Sequence, residues 1–440
     1  MGMRLRVIPA AAQLIMFGLA LIPIRFLPIH WNRMSSVTLW FLYVILIGPA
    51  ICLIPTTVYA PIPLAMAYSL LLLLGFLIAI LFAGKSDPKP LFWKKSTLSV
   101  PVAIFCLVTV FVHVVLNRVS PISFNLPQLS DIYDVRGDYQ DAVIQSPLVM
   151  PLVGLQSNCI NPIMMVIGGH NMRRIWLLVV AVVSQLILFS ATGMKTALFS
   201  APIIIVLLIW GRWAKARPIH VVVAALAVPV IALIIDGITH GHAWTSYFVR
   251  RLVLAPSTLS GAYFEYFSTH ELNYLGGIIR RVFGLQPSLP PAYQVSDYLI
   301  GQTVSMNANS FAAGFADFGV LGVFIVGAVI GLFLRFLDRA SVGLPMSYLL
   351  PLCLYPTITL SNAAIQTSLI TNGLIAIPFA LAMMPLGVRS ALNPSPGISS
   401  PNTENHSSYN WLSGIASHPN HSVVHERVSL HPDAVHSRKK

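Results

Sequence analysis

The sequence predicts an all-α integral membrane protein from three observations: few charges, long apolar runs, and cations grouped between those runs. Of 440 residues, 56% are hydrophobic and only 9% are charged, whereas an average soluble domain carries about 25% charged residues. The mean hydropathy is +0.76. A chain with so few charges cannot cover a water-exposed surface, so a soluble enzyme, a nucleic-acid-binding protein and a disordered regulator are excluded.

Apolar runs of about 17–23 residues recur along the chain, which is the length that crosses a bilayer core as a helix. We predict about eleven transmembrane helices, with ten to twelve as the range. They lie near residues 7–24, 37–54, 62–83, 98–116, 148–168, 174–192, 196–210, 219–235, 314–334, 346–362 and 369–387.

Alternate loops between these spans are basic, and short basic loops stay in the cytoplasm. The loops at residues 85–95, 173–174, 212–217 and 335–339 hold eleven cations, against only two acids, Asp87 and Asp338. Loops 117–147 and 236–313 contain more acids and are expected on the opposite, periplasmic side. Eleven spans also place the N-terminus outside, where Arg4 and Arg6 are unfavourable. Either the count is wrong there, or the first segment is a re-entrant or interfacial helix.

Residues 1–387 therefore form a predicted polytopic membrane domain, and residues 388–440 a disordered cytoplasmic tail. The tail is rich in Pro, Ser and Asn and holds six of the 13 histidines. Irregular histidine spacing favours a solvated tail over a metal site. The four cysteines lie in apolar runs and are expected to be small buried side chains. We expect neither a metal nor another cofactor.

Loop 236–313 is long and rich in Tyr and Phe, which favours short helices on the membrane surface. It contains two arginine pairs, Arg250-Arg251 and Arg280-Arg281, on the side where arginine is normally rare. Guanidinium groups bind phosphate oxygens bidentately, so a lipid-linked pyrophosphate is one candidate ligand. The alternative is that these arginines pair with Glu265, Glu271 and anionic headgroups.

Three further polar features interrupt apolar sequence. Lys195 lies in a short outward turn and is either functional or an interfacial lysine. Asp317 lies about one turn inside the ninth span, after Asn307 and Asn309, and should face a polar cavity or pair with an arginine. The fifth span contains several polar residues, including Gln156 and Asn161, which could line a cavity or a transport path.

Together these features resemble bacterial O-antigen and exopolysaccharide polymerases of the Wzy type. The turn Thr192-Gly-Met-Lys195-Thr is similar to the small-Gly-x-basic turn of that family, although arginine is usual where Lys195 stands. Arg250-Arg251-Leu-Val-Leu-Ala-Pro256 resembles the arginine-rich periplasmic loop, and ten residues separate Arg250 from Gly261 as in the family spacing. The stretch 309–322 resembles the helix entry with Phe-Gly-x-x-Gly. The resemblance covers residues 150–335, and earlier spans only by hydropathy.

The resemblance implies a GT-C-like, metal-independent membrane glycosyltransferase of the bacterial inner membrane. Its substrates would be oligosaccharide repeat units linked to undecaprenyl pyrophosphate, and a chain-length regulator and a flippase are implied partners. Arg250, Arg251, Arg280 and Arg281 would hold the pyrophosphate, with Lys195 and Asn309 as further binding residues. The general-base candidates are His240, His242, Glu265, His270 and Asp317, among which Glu265 and His242 are preferred. Each histidine could instead be a structural hydrogen-bonding group.

Three other functions remain compatible with the sequence. An O-antigen ligase shares the chemistry and differs in its acceptor. A transporter or flippase predicts inverted repeats and charges at mid-membrane, and the sequence shows neither. A structural subunit would leave the arginine pairs unexplained.

Overall fold

The computed structural model describes residues 6–29, 31–84, 88–91, 98–120, 132–144, 146–213, 217–242, 244–275 and 289–384. Every regular element in these ranges is helical. The principal helices are α1 (Ala10–Leu21), α2 (Met34–Thr57), α3 (Ile62–Ala83), α4 (Ser99–Val119), α5 (Ile132–Ile144), α6 (Val149–His170), α7 (Ile175–Thr192), α8 (Lys195–Trp213), α9 (Pro218–Thr239), α10 (Ala255–Thr269), α11 (Pro291–Ile300), α12 (Ser310–Ala340), α13 (Met346–Leu352), α14 (Leu354–Asn362) and α15 (Ala376–Ala382). A π-helical segment, Thr245–Leu254, runs directly into α10.

Seven helices in the described part of the chain are long and apolar enough to cross a membrane, as in a multi-pass α-helical membrane protein: α2, α3, α4, α6, α7 with the turn before it, α9 and α12. Two shorter apolar helices, Ala10–Arg25 and Lys195–Gly211, coincide with predicted spans. The count of eleven stays a prediction.

The last two predicted spans differ most from the structure, because neither is one continuous α-helix. Residues 346–362 form α13 and α14, which meet at Cys353. Residues 369–387 begin in a π-helical turn, Thr367–Thr371, and continue through Gly373 at φ 71° into α15, and residues 385–387 lie outside the described ranges. Proline and glycine interrupt the helical hydrogen bonding in these segments, which hydropathy alone does not detect.

Helices α3 and α12 pack closely along small residues. A Cβ atom added to Gly327 would lie 2.3 Å from the carbonyl oxygen of Gly75, and one added to Gly331 would lie 2.5 Å from that of Ala79. Glycines four residues apart allow such backbone contact between membrane helices. This contact fixes α12, the helix that carries Asp317 and Asp338.

Hydrogen bonds define two ends of the bundle. At one, here called the loop end, the Glu265 carboxylate accepts a hydrogen bond from the backbone of Ala60, between α2 and α3. At the other, the basic end, the hydroxyl and backbone N–H of Ser35 donate to Asp338, at 2.5 and 2.8 Å. Arg33 also donates to the carbonyl of Gly84 there, at 3.3 Å. The loop end is the one predicted to be periplasmic.

Helix α12 is broken near the loop end. Phe318 and Gly319 leave helical geometry, and Gly319 has φ 62° and ψ −142°. Glycine adopts this conformation without the steric penalty that a side chain would bring. Residues 310–317 therefore form a short helix of their own, and Asp317 is its last residue.

Candidate functional site

An open cleft of about 770 Å³ lies at the loop end of α9, and it is called here the His242 cleft. Its lining includes Asp236, His240, His242, Thr245, Ser246 and Arg250. Two residues predicted independently from sequence, His242 and Arg250, thus line the same cleft. His242 is exposed and Arg250 is half-buried. The volume falls within the range of about 300–1,000 Å³ typical of ligand sites.

Asp236 lines this cleft and holds the backbone of the segment that carries Arg250. Its side chain is buried and accepts hydrogen bonds from the backbone N–H groups of Trp244, at 3.0 Å, and Thr245, at 2.8 Å. It therefore caps the helix that carries Arg250, as carboxylates do at helix N-termini. Asp236 also lies close enough to His242 for an electrostatic attraction. A carboxylate beside an imidazole stabilises the ring once it has accepted a proton.

Arg250 lies in the middle of the π-helical segment Thr245–Leu254, and Arg251 follows it in the same segment. Such segments are frequent at functional sites because they change the direction in which side chains project. Arg280 and Arg281 lie outside the described residues, so the predicted clustering of all four arginines stays a prediction.

Glu265 lies on α10 and is not among the residues that line the His242 cleft. The backbone of Ala60 and the hydroxyl of Tyr298 hydrogen-bond to its carboxylate, and Arg6 lies nearby. Burial raises the pKa of Glu265, and these hydrogen bonds and Arg6 oppose that rise. The same carboxylate contributes to the raised pKa of Tyr298, after burial itself. Glu265 thus joins α10, α11 and the connection between α2 and α3.

Asp317 is 4% exposed and is held by amide groups. Its Oδ1 accepts from the side chain of Asn273, at 2.8 Å, and from the backbone of Leu275, at 3.0 Å, while Oδ2 accepts from Gln366, at 3.3 Å. The sequence predicted that Asp317 faces a polar cavity or pairs with an arginine. The carboxylate instead accepts hydrogen bonds from amide N–H groups, which donate to both of its oxygens. Asp317 therefore joins three segments at the break in α12.

Asn309 is fully buried and caps the short helix that ends at Asp317. Its side-chain oxygen accepts from the backbone N–H groups of Phe311 and Ala312, at 3.0 and 3.1 Å. Its amide nitrogen donates to the hydroxyl of Ser260 on α10, at 2.6 Å. The side-chain oxygen and the amide group of Asn309 are thus both hydrogen-bonded. Helix capping accounts for an asparagine at this position.

Lys195 and His270 are not among the residues that line the His242 cleft. Lys195 begins α8 beside Gly193, whose position is close to the backbone of Ile132 and Arg136 in α5. His270 stacks on Tyr266 with ring centroids 4.0 Å apart, and its Nδ1 hydrogen-bonds the carbonyl of Tyr266 at 2.8 Å. His240 lines the cleft and adopts a positive φ of 51°.

The polar residues of the fifth predicted span form a buried hydrogen-bond network. Gln156 donates to Thr109 at 2.9 Å and to Asn161 at 2.6 Å, and Asn161 donates to Gln185 at 3.1 Å. Gln185 in turn donates to the hydroxyl of Tyr355 at 2.9 Å. Neutral side chains thus link α4, α6, α7 and α14 inside the apolar bundle.

Sequence reasoning missed Asp236 and His113, the latter on α4 beside this network. A carboxylate at the end of an apolar span, shortly before a second helix, was the available signal for Asp236. His113 had no signal beyond its isolation in an apolar run.

No family model matches the chain, and no curated protein or solved structure is significantly similar to it.

Proposed function

We propose that the protein polymerises oligosaccharide repeat units carried on undecaprenyl pyrophosphate, at the periplasmic face of the bacterial inner membrane. One observation carries the proposal: His242 and Arg250 line one open cleft at the loop end of a helix that is apolar enough to span a membrane. The pairing offers a proton acceptor and a permanent cation in one site.

The reaction needs these two groups for different atoms. A hydroxyl oxygen of the acceptor repeat unit attacks the anomeric carbon of the growing glycan. The bond from that carbon to the pyrophosphate oxygen breaks, and its electron pair leaves with undecaprenyl pyrophosphate. His242 takes the hydroxyl proton as general base, and Asp236 stabilises the resulting imidazolium. Arg250 binds oxygens of the departing pyrophosphate and offsets its charge.

The remaining predicted residues divide between two roles. Arg251, Arg280, Arg281 and Lys195 are proposed to extend the pyrophosphate site. Glu265, Asp317 and Asn309 are proposed to hold the loop end together, because each uses its polar atoms to join separate segments. Of the two preferred general bases, the geometry thus favours His242 over Glu265.

The test is a polymerisation assay with the full chain in lipid nanodiscs and a purified lipid-linked repeat unit. Wild type should give a ladder of products, and Arg250→Ala should leave only the single repeat. Arg173→Ala, an arginine on an exposed turn outside the cleft, should behave as wild type. A normal ladder from Arg250→Ala contradicts the pyrophosphate role. Transfer that requires a lipid A core acceptor would instead identify a ligase.

A further inference from the structure

A second cleft, of about 610 Å³, lies between α4 and α7 and is called here the His113 cleft. Its walls are apolar and its floor is polar, and its lining includes Thr109, His113, Asn117, Val180, Val183 and Ser184. Both helices are long and apolar enough to span a membrane. Wall residues such as Val110, 62% exposed, and Val179, 55% exposed, project away from the bundle. The bilayer is therefore the medium from which a ligand reaches this cleft.

The polar floor follows one face of α4. Thr109, His113 and Asn117 are spaced four residues apart, which places them on the same side of a helix. Asn117 is near the loop end of α4, and His113 lies six residues before that end, or about 9 Å along the axis at the usual rise of an α-helix. A polar group of a lipid that enters from the loop-end leaflet thus meets hydrogen-bonding side chains below the surface.

The floor presents a hydrogen-bond acceptor, the hydroxyl oxygen of Ser184. His113 Nδ1 lies 2.8 Å from the carbonyl oxygen of Thr109, which can only accept, so the proton of the neutral ring is on Nδ1. Nε2 is then an acceptor, and it accepts from the hydroxyl of Ser184, 3.3 Å away, so the Ser184 oxygen is the atom that keeps a lone pair for a ligand. Behind Ser184, the Gln156 amide nitrogen lies 3.4 Å away, while the buried Oε1 of Gln156 has no hydrogen-bond partner among the described residues.

These groups select the chemistry of the ligand. Acceptors that lie below a membrane surface are best satisfied by a ligand that donates a hydrogen bond. The residues lining this cleft include no lysine or arginine, so they offer nothing that favours a phosphate over a neutral group. The apolar walls suit a hydrocarbon chain.

We propose that the His113 cleft binds a long-chain lipid alcohol from the bilayer, with its chain between α4 and α7 and its hydroxyl donating to the oxygen of Ser184, which His113 orients. This inference is independent of the polymerase function, since it uses none of the residues of the His242 cleft. It assigns a ligand class to a site that the proposed reaction does not require.

Three photoactivatable probes with the same chain test the proposal on the full-length protein in nanodiscs: hexadecanol, its methyl ether and hexadecyl phosphate. Hexadecanol should label peptides from residues 99–119 or 172–192 about fivefold more than the ether, the ratio expected for one net hydrogen bond. Labelling of the ether equal to that of the alcohol, stronger labelling by the phosphate, or labelling confined to other helices would each overturn the proposal.

Three variants locate the site. Val183→Trp fills the cleft and should abolish the specific labelling, whereas Leu107→Trp, on a 71% exposed position of α4 outside the lining, should leave it unchanged. Ser184→Ala should reduce the preference for alcohol over ether while the chain still binds. If Val183→Trp does not fold, the Ser184→Ala result decides, because an unchanged alcohol preference in that variant also contradicts the assigned hydroxyl site.

Discussion

The His242 cleft and the contacts around α10 contain similar residue types in opposite situations. In the cleft, His242 is exposed and Arg250 half-buried, beside 770 Å³ of open space. Around α10, the polar atoms of Glu265, Asn309 and Asp317 form hydrogen bonds that join separate segments. An unexpected polar residue at the end of a predicted span can therefore serve either catalysis or assembly, and its hydrogen-bond partners distinguish the two roles. Variants should therefore separate loss of activity from loss of stability.

The largest expected effect is on activity. His242→Gln should lower the polymerisation rate about a hundredfold or more, the usual contribution of a general base, with no change in the melting temperature in detergent. The comparison fails if the rate is unchanged, or if the melting temperature falls as much as the activity. His270→Gln is the matched control, because that ring stacks on Tyr266 outside the cleft.

The largest effect on stability is expected at Asp317. Asp317→Ala leaves three donors, from Asn273, Leu275 and Gln366, without their acceptor. At about 1–3 kcal/mol for each unsatisfied buried group, the free energy of unfolding should fall by about 3 kcal/mol or more. Chemical denaturation in detergent measures this change. Asp317→Asn, which keeps one oxygen acceptor, should recover part of the loss, and equal stability of all three proteins would refute the role.

A smaller loss is expected at Asn309. Asn309→Ala removes the cap of the short helix before the break and the bond to Ser260, so the unfolding free energy should fall by about 1–2 kcal/mol, as for other N-cap residues. Asn309→Ser keeps a neutral capping oxygen and lacks the amide that donates to Ser260, so denaturation curves of the two variants separate these contributions. A wild-type curve for Asn309→Ala would contradict the capping role.

The smallest effect concerns pH and Glu265. Because the pKa of Glu265 is raised in the folded protein, the folded state binds more protons than the unfolded state, and stability decreases as pH rises above the ordinary value of 4.5. Glu265→Gln has no such loss. Relative to wild type, the variant should therefore melt higher at pH 7 than at pH 4, and a difference in melting temperature that is constant across this range would show that the carboxyl is not perturbed.

The sequence predicted the helical class, and most span boundaries lie close to those observed, because a bilayer core demands long apolar helices. The predicted span 62–83 matches α3 at both ends. The breaks in α12 and after residue 362 were not predicted. Gly319 and Gly373 have positive φ there, but glycine is also frequent within unbroken transmembrane helices, so its presence in the sequence does not indicate a break.

The sequence named His242 and Arg250 as candidates, and the structure places both in the lining of one cleft. Both residues stood out because they lie in a loop that the charge pattern predicts to be periplasmic. The burial of Glu265, Asn309 and Asp317 depends on partners far along the chain, such as Ala60 and Gln366. The pattern within one segment cannot reveal a contact whose partner lies 49 or 205 residues away in the sequence.

The position of Arg6 bears on how the chain is inserted. Its side chain donates to the carbonyl of Pro55 at 2.8 Å, at the end of α2 that neighbours Glu265. If Glu265 faces the periplasm, the amino terminus and its cation must travel through the bilayer before that contact can form. A reporter enzyme fused ahead of Met1 would then be exported together with Arg6. Helix α1 would pack against the bundle only after α2 had inserted into the membrane.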